Sequence, residues 1–332
     1  GLGLGQDDTY VIGGLIVVAF FVAAVLVLPR QAPIGDALVY GFALCSPAVM
    51  LGVERGNVDL ALFSMLTVAG LAMRRTPYGP PFAAALILFA AILKLFPIAA
   101  LGMLTGLPRR VAAACVSSVL AIFTLYVAAT FADIRTIDRV LPQDDEYAYG
   151  VHITGDWLGH LAGSGSTWDA VLVASTIVAA LALRRRLSAR LVMHPSRELD
   201  FFCAGAGVYV ATFALVRSAD YRLVFLLLTV PRLARWAHAR QMLAIATLVG
   251  VLATLWLPTE WPWANVPLLD DVLRWWNGVA VAGGEALPLA ALAQVLAFAG
   301  LTCLLAAAFH ANWDREPAQS ARYSRLHFGK EG

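Results

Sequence analysis

Eleven apolar stretches follow one another along this chain, most of them close to the length needed to cross a lipid bilayer. A membrane-spanning helix needs about 20 predominantly apolar residues. Only 14% of the residues are charged, whereas soluble domains carry roughly 25%. The sequence therefore predicts an all-α, polytopic helical membrane protein with about ten to eleven membrane segments. The stretches are 10–29, 35–53, 58–73, 79–95, 97–108, 111–131, 168–184, 200–217, 221–236, 240–258 and 286–309.

The apolar stretches define a single transmembrane helical domain over residues 1–309, followed by a polar tail over 310–332. Two connections, 132–167 and 258–285, are long enough to carry structure of their own. The segment 97–108 and the apolar core of 221–236 are short, so we expect half-helices, tilted segments or helices buried in the bundle. The other segments are expected to be ordinary spans.

The cysteines and glycine patterns indicate no metal or cofactor site. Each cysteine lies inside an apolar run, which is typical of a small buried hydrophobic residue. The sequence contains no zinc spacing, P-loop or dinucleotide fingerprint, and nothing in it points to nucleic acid. We therefore expect no cofactor and no metal. The four cysteines are Cys45, Cys115, Cys203 and Cys303.

Arginines in short loops predict the orientation, because cytoplasmic loops carry an excess of Lys and Arg. The basic loops and the tail are assigned to the cytoplasm, which places loops 132–167 and 258–285 on the outer side of the membrane. All the basic loops lie on the cytoplasmic side only if 79–108 forms a hairpin that turns at Lys94–Pro97. A single kinked helix over 80–107 would put Arg74-Arg75 and Arg109-Arg110 on opposite faces, so the hairpin is preferred.

Unusual polar residues collect on the outer side in this scheme, whereas the inner side carries mostly plain anchoring arginines. Charged residues inside apolar segments cost a few kcal/mol on insertion scales and are functional hypotheses by default. We predict one polar site near the outer membrane surface, lining a cavity that can bind an anionic phosphate. Its candidate residues are Glu54, Arg55, Asn57, Asp59, Lys94, Asp220 and Arg222.

Each of these residues also has a purely structural interpretation. Glu54 and Arg55 can pair locally as loop charges that fix a turn. Gly56-Asn57 can form a turn between two helices, with Asp59 in the first turn of the second helix, where its charge suits the helix dipole. Lys94 can extend from a helix end to the lipid headgroups. Asp220 and Arg222 can form a local ion pair.

The two long loops carry aromatic and histidine residues. Four tryptophans in loop 258–285 are typical of an aromatic belt at the headgroup level, with a platform for sugar or lipid as the functional alternative. His152 and His160 are the histidines of loop 132–167, and their spacing is weak evidence for metal. The tryptophans are Trp261, Trp263, Trp275 and Trp276.

The order of motifs resembles glycosyltransferase family 87, bacterial membrane enzymes of the GT-C class. The resemblance rests on Arg55-Gly56-Asn57-Val58-Asp59, Lys94-Leu95-Phe96-Pro97, Arg109-Arg110 and Asp220-Tyr221-Arg222-Leu223. It covers about residues 36–110 and 218–232. It implies a GT-C-like bundle, a polyprenyl-phosphate sugar donor, an outward-facing site and inversion at the anomeric carbon. Lys94 and Arg55 match the positions expected to bind the phosphate.

The general base of the implied reaction is not identifiable. The family places an acidic base in the first outer loop, and no such helix and loop precede Tyr10. Either that region lies upstream of a chain that begins with Gly1, or the chain has lost catalysis. Three hypotheses remain: a glycosyltransferase acting on an envelope lipid or glycan, a non-catalytic subunit packed in a larger membrane assembly, and a lipid or solute transporter.

Overall fold

The computed structural model describes residues 6–140, 148–152, 154–155, 165–191, 193–215, 218–257 and 288–313. The described chain is mostly helical. Its helices are α1 (Gln6–Val27), α2 (Ile34–Leu44), α3 (Pro47–Glu54), α4 (Val58–Ala72), α5 (Gly79–Leu93), the 3₁₀ segment η1 (Phe96–Gly106), α6 (Arg109–Ala129), α7 (Phe131–Val140), α8 (Gly165–Arg190), α9 (Arg197–Leu215), the 3₁₀ segment η2 (Asp220–Leu228), α10 (Val230–His238), α11 (Met242–Trp256) and α12 (Pro288–Trp313). Two short strands, β1 (Ala148–Tyr149) and β2 (Ser218–Ala219), pair antiparallel.

Every predicted apolar stretch coincides with a helix or a pair of helices, which confirms the all-α prediction. The expectation that nearly all are ordinary spans is wrong. Within the described ranges, five helices are long and apolar enough to cross a membrane, or six if α2 and α3 form one broken span bent by 55°. At 1.5 Å per residue, α4, α5 and α11 reach only about 22 Å, less than the roughly 30 Å hydrocarbon core.

The short helices end where the sequence supplies breaks. Ser46 is the N-cap of α3 and Pro47 is its first residue, so the apolar stretch 35–53 is divided into two helices at this point. Gly56 has φ +53°, a conformation that costs glycine little, and it reverses the chain between α3 and α4. Lys94 is extended, with φ −146° and ψ 136°, so α5 stops there.

The helices divide into a buried centre and an apolar surface. Helix α9 lies at the centre: 78% of its most apolar stretch of 18 residues is buried, whereas only 6% and 11% of the corresponding stretches of α6 and α8 are buried. On those outer helices Leu125 is 71% exposed and Val178 is 65% exposed. Apolar surface of this extent is typical of contact with lipid or protein rather than water.

Opposite ends of the bundle hold two separate sets of polar groups. We call them the Lys94 end, with Lys94 and Asp59, and the Arg74 end, with Arg74 and Asp200. The Arg74 guanidinium donates to the Gly106 carbonyl at 3.3 Å, so η1 returns the chain to the end where α5 began. The hairpin preferred from the arginine distribution is therefore confirmed.

The last described helix places its end among the basic residues. Trp313 closes α12, and the Arg109 guanidinium lies 3.8 Å from the centre of its indole. Helix α12 continues to Trp313, and the domain boundary predicted at residue 310 stays a prediction. The remaining tail and loop 258–285, with its tryptophans, lie outside the described residues.

Candidate functional site

The site at the Lys94 end is built around a buried carboxylate. Asn57 is the N-cap of α4, and its side-chain oxygen accepts from the Asp59 backbone N–H at 3.0 Å. This cap places Asp59 in the first helical turn, where the helix dipole favours its charge. The Asp59 side chain is only 1% exposed, so its charge needs partners within the protein.

Lys94 supplies the closest of these partners. Its ammonium donates to Asp59 Oδ1 at 2.6 Å. The lysine reaches this position because α5 ends at Leu93 and η1 starts at Phe96, with Pro97 in its first turn, which leaves Lys94 extended at the turn. The Lys94 side chain remains 24% exposed.

Arg222 approaches the same carboxylate from η2. Its Nε lies 4.0 Å from Asp59 Oδ2, and its Nη1 donates to Ser218 Oγ at 3.1 Å. The guanidinium lies 5.1 Å from the centre of the Phe96 ring, while the Lys94 ammonium lies 5.5 Å from the centre of the Tyr221 ring. Both distances are within the range of cation–π attraction.

The charges are layered by depth. Asp59 and Asp220 are fully buried, whereas the side chains of Lys94 and Arg222 keep 24% and 21% of their surface exposed. The carboxylates therefore lie inside and the cations lie toward the surface. An arrangement of this kind presents fixed positive charge to a ligand while the buried anions hold the cations in place.

A second layer of contacts supports η2. Strand β1 pairs with β2, with Tyr149 opposite Ser218. The Tyr149 hydroxyl forms a 2.7 Å hydrogen bond with Thr212 Oγ1, and its ring stacks on that of Tyr209. Burial raises the pKa of the Tyr149 phenol well above its usual range, and the hydrogen bond to Thr212 opposes that shift only in part. Tyr149 is therefore a neutral structural support.

The structure brings together only part of the predicted set. Asp59, Lys94 and Arg222 form one cluster, and Asn57 holds the first of them in place. Asp220 is buried at the start of η2. Glu54 and Arg55 are exposed at the end of α3.

Sequence reasoning missed the support from β1, because a pairing between two-residue strands 70 residues apart leaves no pattern in the sequence. It also misjudged the Arg74 end. Arg74 forms a bidentate ion pair with buried Asp200, with nitrogen–oxygen distances of 2.5 and 2.7 Å. Arg235 Nη1 lies 2.8 Å from Glu198 Oε2. These two arginines are exceptions to the prediction that the inner side carries mostly plain anchoring arginines. The sequence signal that could have revealed these pairs is the presence of Glu198 and Asp200 in the first turn of the otherwise very apolar helix α9.

The structure shows no grouping of metal ligands in the ranges it describes, where no three His, Cys, Asp or Glu side chains converge. His152 Nδ1 lies 2.6 Å from Asp169 Oδ2, and His160 lies outside the described residues. Comparison with known proteins adds no assignment: no protein-family model, curated protein or solved structure matches this chain.

Proposed function

We propose that the chain is an integral membrane protein of a bacterial inner membrane, with the Arg74 end and its C-terminus in the cytoplasm and the Lys94 end outside. The five long apolar helices and the apolar surface of α6 and α8 support a membrane location. The arginines concentrated at one end support the orientation.

Within that membrane we propose a glycosyltransferase that uses a polyprenyl-phosphate sugar donor and acts on an envelope lipid or glycan. The observation that carries this proposal is the convergence of Lys94 and Arg222 on buried Asp59, at 2.6 and 4.0 Å. Three segments far apart in sequence are thereby joined, and the family 87 resemblance rests on all three. A pair of partly exposed cations is suited to a phosphate group.

The proposed reaction uses these cations on the leaving group. The acceptor hydroxyl attacks the anomeric carbon and passes its proton to a general base, the bond from that carbon to the phosphate oxygen breaks, and the electron pair leaves with polyprenyl phosphate. Lys94 and Arg222 stabilise the negative charge that grows there. Asp59 positions the cations, since burial and its 2.6 Å contact with Lys94 leave it unsuited to take the acceptor proton. The general base is not assigned.

A non-catalytic subunit of a larger membrane assembly is the second candidate. The observation that favours it is the same 2.6 Å contact, because an ammonium balanced by a buried carboxylate can fix α4 against the α5–η1 turn without binding any ligand. Removing one partner of a buried pair leaves an uncompensated charge, whereas removing both is often close to neutral. This difference separates a phosphate-binding role of Lys94 from a purely structural one.

The test compares Lys94→Met with the double variant Lys94→Met/Asp59→Asn. Sugar transfer from polyprenyl-phosphate donors is measured with the full-length protein in membranes, alongside thermal stability of the purified protein. If the cation stabilises the leaving phosphate, both variants lose transfer by about a hundred- to thousandfold, although the double variant recovers most of its stability. Lys94→Arg restores transfer only partly, because a guanidinium does not replace a point charge.

Arg135→Gln is the matched control, since Arg135 is an exposed cation on α7 at the same end of the bundle. We expect it to retain wild-type transfer. Recovery of transfer in the double variant would reject a phosphate role for Lys94. Absence of transfer by the wild-type protein with any donor, together with stable co-purification of other membrane proteins, would favour the non-catalytic subunit.

A further inference from the structure

A cavity of about 920 Å³ lies at the Arg74 end, on the side of the bundle opposite the cluster around Asp59. Its walls come from four separate parts of the chain: the end of α1 with the turn after it, the end of α4, the start of α9, and α10. It lies outside the proposed glycosyl-transfer site, and no function assigned above uses it.

Positive charge dominates the lining. Four arginines and one glutamate border the cavity, which leaves a net charge of +3. The glutamate, Glu198, lies 2.8 Å from Arg235 and therefore balances one of the four. Arg197 is held by a 3.4 Å hydrogen bond to the Leu28 carbonyl, which fixes it at the wall. The arginines are Arg30, Arg75, Arg197 and Arg235.

An apolar wall completes the cavity. Val25 and Leu26, in the last turn of α1, line it and are 68% and 45% exposed. Leu71 from α4 lies on the same lining. A ligand in this cavity therefore meets both arginine side chains and an exposed aliphatic surface.

We propose that this cavity binds the phosphate headgroup of an anionic phospholipid from the leaflet at the Arg74 end. Guanidinium groups match phosphate geometry, and basic pockets between membrane helices on the cytoplasmic side suit anionic headgroups. The exposed wall of Val25 and Leu26 favours an amphiphile over free phosphate, because acyl-chain carbons can cover it. The proposal requires the membrane location but does not depend on glycosyl transfer.

Ordinary anchoring arginines on this end provide the comparison. Arg110 on α6 and Arg185 on α8 are exposed there as well, and neither borders the cavity. General attraction to an anionic membrane surface would involve these residues as much as Arg30 and Arg75. A specific lipid site would involve only the arginines that border the cavity.

The experiment uses the full-length protein and measures lipid retention by native mass spectrometry from micelles containing either phosphatidylglycerol or phosphatidylcholine, with inorganic phosphate as a third arm. We expect selective retention of phosphatidylglycerol by the wild-type protein. Arg30→Gln/Arg75→Gln is expected to weaken that retention by about 30-fold, given the contribution of each basic residue near an anionic headgroup. The control variant Arg110→Gln/Arg185→Gln is expected to retain it.

Three results would overturn the proposal. The first is equal retention of the two lipids by the wild-type protein. The second is displacement of phosphatidylglycerol by millimolar inorganic phosphate, which would indicate a site for a soluble anion. The third is an equal loss in the control variant, which would reduce the effect to general surface charge. Transfer activity is not a readout, so failure of the glycosyltransferase proposal leaves this result interpretable.

Discussion

Replacing Arg74 by methionine removes the cation that balances a fully buried carboxylate. Arg74 contacts Asp200 through two nitrogen–oxygen pairs at 2.5 and 2.7 Å, and it also donates to the Gly106 carbonyl at 3.3 Å. The Asp200 side chain is 1% exposed. Methionine keeps much of the aliphatic stem but leaves Asp200 without its closest cation and the carbonyl without this donor.

The expected cost follows from this burial. Removing one member of a buried ion pair destabilises a protein by about 3–5 kcal/mol. The Arg74 side chain is itself 31% exposed, so water can partly solvate the site and the lower end, about 3 kcal/mol, applies. For a chain of this size that loss lowers the midpoint of thermal unfolding by about 5 °C.

Thermal unfolding can be followed through a cysteine next to the perturbation. Cys203 is 2% exposed and lies one turn from Asp200 in α9, so a thiol-reactive fluorophore reports when this part of the core opens. Cys45 is exposed and Cys115 is partly exposed, so both should be replaced by serine in every variant to reduce the background signal. The measurement compares the wild-type background, Arg74→Met and Arg74→Met/Asp200→Asn.

The double variant tests the physical reason. If an unbalanced buried charge causes the loss, Asp200→Asn restores most of the stability of Arg74→Met, because the isosteric amide removes that charge. An unfolding midpoint of Arg74→Met within about 1 °C of the background would refute the magnitude argued above. A double variant no more stable than Arg74→Met would refute the electrostatic cause.

Two further predictions concern the supports of the site and the orientation of the bundle. Above pH 10, the ordinary pKa of tyrosine, the phenol of Tyr149 ionises in the unfolded protein but stays neutral in the folded one, because burial raises its pKa, so the free energy of unfolding falls as pH rises. Tyr149→Phe should lower stability at pH 7 by about 1 kcal/mol through loss of the Thr212 hydrogen bond, and it should also make the alkaline decline shallower. Unfolding at pH 8–11 measures this, and a decline as steep as in the wild type would contradict the assignment. A single cysteine at Ala189, exposed at the end of α8, in a background without the native cysteines, should react with an impermeant maleimide only after cells are permeabilised; labelling of intact cells would reverse the proposed orientation.

The sequence alone determined the helical segments and the main breaks between them. Long apolar stretches leave few alternatives to helices, because backbone polar groups in lipid must be satisfied within the segment. The breaks were also visible, since Gly56 and Pro97 each act through local backbone geometry. The arginine distribution was enough to predict the α5–η1 hairpin, which the contact between Arg74 and the Gly106 carbonyl confirms.

Only the tertiary structure decided which charges meet. The Asp59–Lys94 pair joins residues 35 positions apart, and the Arg74–Asp200 pair joins residues 126 positions apart. The sequence predicted that Lys94 lies near the stretch Glu54–Asp59, through a shared side of the membrane, but not that Lys94 pairs with Asp59. For Arg74 it predicted only an anchoring role. The physical reason is that burying a charge is favourable only when a partner lies within hydrogen-bonding reach, and such distances depend on how the helices pack.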